Sequence, residues 1–305
     1  MSSIFHLNMP RATITSLLLE SLAHDRRTVA ADWRMHVVYM RVAHSGAFAL
    51  PDAAKANQLI RKLEAAGDIQ RVKDVCGVYR VTVPYASVLA SSDEAVIQEA
   101  NPTAVFSHFT AAAYHDLTYE IPKEFHLTHS RSFSARLPLG TTPEDWVDVP
   151  EPRQRTPDSI DGVQIHWHKA KPEWDFGHIV GDSRGCPIYV TDPERTLLDA
   201  LRFPDRCGGV TEVLRIWRRA TPSLRLDVLI DYVERFGQTL LRQRVGFLLE
   251  RLELTHPILQ DWAGKSVRGS SAKLFAKLDF SPIFSERWSL SINVPDGILS
   301  ELNED

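Results

Sequence analysis

The chain has 305 residues, 44% of them apolar and 24% charged, with a net charge of −4. That length exceeds an average single domain, and the composition excludes a disordered chain. Cys76, Cys186 and Cys207 are odd in number and far apart, which argues against a disulfide framework and a cysteine metal cluster, and no apolar run approaches the roughly 20 residues of a bilayer span.

The N-terminal MSSIFHLNMPRATITS lacks the basic segment and apolar core of a secretory signal. A cytoplasmic location is therefore expected, with no membrane partner. Charge is uneven along the chain. Residues 1–90 hold 11 Lys and Arg against 7 Asp and Glu, which is +4 and leaves −8 on the remainder. A basic N-terminal part on an acidic body is the asymmetry of a protein that meets a polyanion with one part only.

In chain order, Ile14, Leu17, Leu18 and Leu22, then Met35, Val38, Tyr39 and Val42, recur at helical spacing and predict two helices. A third begins at Pro51-Asp52 in PDAAKANQLIRKLEAAGDI and stops at Gly67, with Ala56, Leu59, Ile60 and Leu63 inward. IQRV, a turn at Lys73-Asp74 and GVYRVTV then read as a β-hairpin. Three helices followed by a hairpin are the order of a winged helix-turn-helix, whose third helix enters the major groove. Asn and Gln suit adenine edges, whereas Arg and Lys suit guanine or phosphate. The candidate DNA-binding residues are Lys55, Asn57, Gln58, Arg61 and Lys62 on the third helix, with Arg71 and Lys73 on the wing. Double-stranded DNA is the expected partner. The plain alternative is a solvated helix face, and many winged helices bind protein instead.

Residues 84–103 read as a connector around a short helical stretch. AVFSHFTAAAYHDL opens a new unit, helical after Ser107, and EFHLTHS alternates as a strand with Phe125 and Leu127 inward and His126 and Thr128 outward. Five prolines between 138 and 157 predict a long loop over about 131–160 without regular structure. VQIHWHKA and IYVTD read as strands, and 210–220, 225–236 and 238–252 as helices. Arg215, Arg218, Arg219, Arg242 and Arg244 fall on the solvated faces of those helices, and KLFAKLDF and RWSLSINV close the chain as strands. The fold class is α+β, with a winged helix-turn-helix at 1–90 followed by a mixed α/β domain at 91–305 that ends in a helical, bundle-like region.

Chemistry is sparse. His166 and His168, two apart on a strand, share a face, but no third or fourth metal ligand is evident. Ser107-His108 and His115-Asp116 invite a hydrolase reading. However, GxSxG is absent, and adjacent helical side chains point apart. No Walker loop, GxGxxG or HExxH occurs, and GDSRG at 181–185 lacks the lysine of a phosphate loop. No catalytic residue, metal or cofactor is expected. YVTDPERTLLDAL (189–201) reads as a strand entering a capped helix, with Thr191 and Glu194 as a capping box, Pro193 in the first turn and Asp192 beside it. Arg195 and Asp199, four apart on one face, read as an ion pair that would contribute only a few tenths of a kcal/mol if exposed.

YVTDPERTLLDAL, SHFTAAAYHDLT and RQRVGFLLERLEL (242–254), placed around one another after the N-terminal unit, resemble the AbiEi family of antitoxin and transcriptional regulators. The resemblance runs over roughly 15–255. It implies a winged helix that binds inverted repeats in its own promoter and represses it. It further implies a C-terminal domain, marked by Asp192, Glu194, Arg195 and Asp199, that counteracts a nucleotidyltransferase-like toxin in a type IV toxin–antitoxin, abortive-infection system. A stable complex with that toxin is not required. Two other readings stand beside it: a ligand-sensing winged-helix repressor, and a metal-dependent enzyme on nucleic acid or nucleotides that uses Asp192, Glu194 and Asp199.

Overall fold

The computed structural model describes residues 13–82, 91–129, 136–147, 149–266, 272–300 and 302. It has the α+β composition expected. The elements run α1 (Ile14–His24), β1 (Val29–Ala31), α2 (Asp32–Val42), α3 (Ala53–Ala66), β2 (Ile69–Arg71), β3 (Val78–Val81), α4 (Asp93–Ala100), β4 (Val105–Phe106), α5 (His108–Tyr114) and β5 (Glu124–His129). They continue with β6 (Ser159–Ile160), β7 (Val163–Lys169), β8 (His178–Ser183), β9 (Cys186–Thr191), α6 (Pro193–Arg202), α7 (Val210–Ala220), α8 (Leu226–Phe236), α9 (Thr239–Arg251), α10 (Ile258–Gly264), β10 (Phe284–Ser285), β11 (Leu290–Ser291) and α11 (Asp296–Ser300). Among the described residues no helix is long and apolar enough to cross a membrane.

The chain divides into two compact units. The first comprises 1–103, 132–161 and 181–188, and the second 104–131, 162–180 and 189–305. Residues 91–103 and most of the proline-rich segment thus belong to the same unit as the first ninety residues.

In the first unit, β1, β3 and β2 form an antiparallel sheet in that order, with Ile69 opposite Val81 and Arg71 opposite Tyr79. The strand β1 is an addition to the predicted elements. Leu18 and Leu22 of α1, Met35 and Val38 of α2, and Leu59, Ile60 and Leu63 of α3 close over the sheet residues Ile69, Tyr79 and Val81. The Asp52 carboxylate caps α3 by accepting from the Lys55 N–H at 2.8 Å, and Gly67 ends it at φ +80°, the left-handed turn that favours glycine.

The expected connector is a core element. Ser92 caps α4, and Val96, Ile97 and Ala100 are fully buried. The buried Glu99 carboxylate accepts from the Ala31 N–H at 3.0 Å and from Arg34 Nε at 2.7 Å. Residues 84–90 of that stretch lie outside the described residues. The 131–160 segment also differs from expectation. It carries a 3-10 turn at Pro143–Trp146 and the short β6, and it is tied down by Arg41 to Asp145 at 2.5 Å and Arg155 to Asp32 at 2.5 Å. Residues 131–135 and 148 of it are outside the described residues.

In the second unit, β5 pairs parallel with β7 over Glu124–His129 and antiparallel with β4, and β4 pairs parallel with β9 at Phe106 and Val190. Helices α6 to α9 share a core that includes Leu197, Leu201, Trp217, Leu229, Val233 and Leu248. Gly246 of α9 lies flat against the indole of Trp288, where an added Cβ would come within 2.1 Å of the ring. Arg244, expected in solvent, is buried and donates from Nε to the Lys273 carbonyl at 2.9 Å. Burial lowers its pKa to about 10. The closing strands are short: RWSLSINV contributes only β11, and KLFAKLDF only a bridge from Lys273 to Ser291.

Candidate functional site

Helix α3 places its predicted residues on one open face. Lys55, Asn57, Gln58, Arg61 and Lys62 are all exposed, while Ala56, Leu59, Ile60 and Leu63 are buried. At about 100° per residue, Asn57 and Arg61 fall on one side of a line through Ala54 and Ala65, with Gln58 and Lys62 on the other and Lys55 at the edge. Small residues between two polar rows let a second backbone come close.

Arg71 and Lys73, on the hairpin, are also exposed. Arg71 is already engaged, its guanidinium forked onto Glu64 at 3.1 and 3.0 Å with the Tyr79 ring beneath it. That hydrogen bond raises the Arg71 pKa and lowers that of Glu64. Beside α3 lies a recess of about 430 Å³, lined by Trp33, His36, Ala56 and Asn57 and by 149–153 of the proline-rich segment. The exposed Arg153 on its rim is a cation that the sequence pattern does not single out.

The motif YVTDPERTLLDAL has a different construction from the one its spacing suggests. Asp192, not Thr191, is the N-cap, its Oδ1 accepting from the Arg195 N–H at 2.9 Å. Thr191 instead bonds Thr196 at 2.8 Å. Glu194 is fully buried and takes no part in a capping box. It accepts from the Arg225 backbone N–H at 2.9 Å and from that residue's guanidinium. Burial alone would raise the Glu194 pKa, but the Arg225 hydrogen bonds outweigh it and hold the carboxyl below its ordinary value. Asp192 Oδ2 accepts from the Tyr232 hydroxyl at 2.7 Å. Burial and that bond push the phenol well above its usual value.

Arg195 and Asp199 do form an ion pair, and it is buried. Their side chains are 5% and 2% exposed and meet at 2.9 Å. Arg195 Nη1 also donates to the Trp174 and Phe176 carbonyls at 2.6 and 2.7 Å. Asp199 Oδ1 additionally faces Arg202 at 3.4 Å.

Next to this network, four histidines gather over β5, β7 and the start of α5. His126 is buried rather than outward, because α5 covers that face; its backbone N–H donates to Thr110 Oγ1 at 2.8 Å. Glu124 accepts from His126 Nε2 at 3.0 Å and from His166 Nε2 at 2.8 Å. With Nε2 of His126 thus protonated, its Nδ1 accepts from His168 Nε2 at 3.0 Å, which leaves Nδ1 of His168 as an acceptor. Burial, with Arg206 nearby, lowers the His168 pKa to about 3.

His108 sits at φ +54°, a left-handed conformation uncommon for a side-chain-bearing residue. This folds its ring back, so Ser107 Oγ and His108 Nδ1 meet at 2.8 Å, contrary to the divergence expected of helical neighbours. Both are buried, and Nε2 of His108 faces Arg206 Nη1 at 3.3 Å, where a hydrolytic triad would place its own partner. His115 bonds the Thr191 carbonyl at 2.6 Å. Among the described residues no group of three or more His, Cys, Asp or Glu side chains is arranged to hold a metal ion. GDSRG forms the tip of the β8–β9 hairpin, with Arg184 and Gly185 both left-handed, as a type I′ turn requires.

The cations that the sequence pattern concealed are Arg202, Arg206 and Arg225. The first two are four apart in ALRFPDR, but Pro204 between them hid the shared face.

Neither a protein-family model nor a curated protein matches the chain. It is similar to a solved structure described as the crystal structure of the RV2827C protein from Mycobacterium tuberculosis, at 14% identity and a TM-score of 0.49, with 96% of each chain covered.

Proposed function

We propose that this chain is a DNA-binding transcriptional regulator whose first unit is a winged helix-turn-helix. The observation that carries the proposal is the exposed α3 face, where Asn57, Gln58, Arg61 and Lys62 flank two alanines above a buried apolar stripe. The order α1-β1-α2-α3-β2-β3 and the antiparallel sheet β1-β3-β2 support it, because they present α3 outward with the hairpin beside it. Arg61 and Lys62 supply base-edge or phosphate contacts, Asn57 and Gln58 adenine contacts, and Lys55, Lys73 and Arg71 sit toward the backbone.

Autorepression through inverted repeats, and antitoxin activity against a nucleotidyltransferase-like toxin, complete the reading. Their support is the set of three AbiEi-like motifs. The role is that of a cytoplasmic binding protein rather than an enzyme.

A gel shift on the protein's own upstream DNA tests the first half. Arg61→Ala with Lys62→Ala should weaken binding and lower the salt slope by about one for each phosphate no longer neutralised. Unchanged binding would remove α3 as the reading element. Co-expression with the toxin tests the second half, and failure to restore growth would reject the antitoxin role while leaving DNA binding intact.

A further inference from the structure

The second unit holds a recess of about 480 Å³, walled by β7, the segment after it and the C-terminal turn of α6. Its charge is unbalanced. Arg195, Arg202, Arg206, Lys169 and Lys171 line it against the single carboxylate of Asp199. That carboxylate is committed to Arg195 at 2.9 Å, with Arg202 further off at 3.4 Å. Among the described residues no carboxylate pairs with Arg206 or Lys169. The hydrogen-bond partner of Arg206 is the neutral His108 ring, 3.3 Å away, and its other face rests on Phe203 at 4.2 Å.

A half-buried guanidinium without a counter-ion is costly in a protein interior and creates a strong positive potential in a concave site. The same crowding shows on its neighbours. Burial chiefly lowers the Arg202 pKa, and Arg195 and Arg206 add to the effect. An anion seated here would relieve all three.

We propose that this recess binds a nucleoside phosphate, with its phosphoryl oxygens on Arg206, Arg202 and Lys169. Guanidinium forks match phosphate geometry, and Lys adds a point charge. The space exceeds what a phosphate alone would fill and lies in the range of small-ligand sites. Its remaining wall carries Trp174, and Nδ1 of His168 offers an acceptor for a sugar or base donor. The bound group needs no metal and no covalent step. The inference goes beyond DNA binding, and its test contains no DNA, so neither result decides the other.

Calorimetric titration of the full chain with ADP, inorganic phosphate and adenosine is the test. ADP should bind saturably at one site per chain, inorganic phosphate more weakly, and adenosine not at all at millimolar concentration. Arg206→Gln should weaken ADP at least tenfold and Arg206→Lys less, while Arg215→Gln, on α7 outside the recess, should leave it unchanged. Lys169→Gln, at an exposed position, should also weaken ADP and serves if Arg206→Gln fails to fold. Absence of saturable ADP binding, or unchanged affinity in the Arg206→Gln and Lys169→Gln proteins, overturns the site. Phosphate binding as tight as that of ADP overturns the nucleoside assignment.

Discussion

Replacing Asp199 by Asn keeps the shape of the side chain and removes one buried charge. The carboxylate holds Arg195 at 2.9 Å and Arg202 at 3.4 Å, and the Arg195 and Asp199 side chains are 5% and 2% exposed. Arg195 keeps its bonds to the Trp174 and Phe176 carbonyls and its stacking on Phe176 and Phe236. None of these cancels a positive charge. Breaking a buried pair from one side costs about 3–5 kcal/mol, against about 0–1 kcal/mol for an exposed one. With a urea slope of about 2–3 kcal/mol/M, the midpoint should fall by about 1–2.5 M. Urea unfolding of the full chain measures it, with Asp261→Asn, whose partner Lys265 is exposed, as the comparison. The double change Arg195→Met with Asp199→Leu should cost less than Asp199→Asn alone, since the Arg195 charge leaves with its partner and only Arg202, the longer contact at 3.4 Å, loses a carboxylate. A single-variant loss below about 1 kcal/mol would refute the claim that this pair is buried and coupled.

Three further outcomes are expected from other parts of the molecule. Glu64→Gln should free the Arg71 guanidinium for phosphate and tighten DNA binding in a gel shift; unchanged affinity would remove Arg71 from the interface. Gly246→Ala should destabilise by about 1–3 kcal/mol, because its methyl would meet the Trp288 ring at 2.1 Å, and thermal unfolding would show it; a neutral result would mean that α9 can shift. His168 stays neutral in the fold with its pKa lowered to about 3, chiefly by burial, so below about pH 6.5 the unfolded chain binds the extra proton. Stability from this group is complete above that pH and is lost as pH falls toward 3. Urea midpoints between pH 7.5 and about 5 should therefore decline, with a shallower decline in His168→Asn, and equal slopes in the two proteins would reject the assignment.

The N-terminal elements were legible because their information is local. A 3.6-residue apolar period, an Asp cap and a stopping glycine suffice to place α3 and to say which side chains face out. Burial of the polar elements was not legible, because it depends on partners far away in sequence. Gln98 and Glu99 read as a solvated connector until Arg34 and the Ala31 N–H, more than sixty residues earlier, account for the Glu99 carboxylate. His126 alternates like an outward strand residue, and only the placement of α5 over that face buries it. Arg71 was correctly exposed, yet its pairing with Glu64 crosses from helix to hairpin and leaves no periodic trace.

The same limit explains why YVTDPERTLLDAL yields to a local reading only in part. An i,i+4 Arg–Asp pair has one sequence appearance whether it lies on a surface or in a core, and the two cases differ by several kcal/mol. What separates them is the number of charges that converge. Asp192, Glu194 and Asp199 face Arg195, Arg202 and Arg225, with Tyr232 closing the last acceptor. A helix that needed only a cap would carry one of those carboxylates, as α3 does at Asp52. Arg195 and Asp199 also line the basic recess, so the buried pair holds the α6 wall from which Arg202 extends, with Arg206 in the 3-10 turn just after it. The charges of the motif thereby position a binding surface. Asp199→Asn should therefore change ADP affinity even where calorimetry shows the second unit still folded.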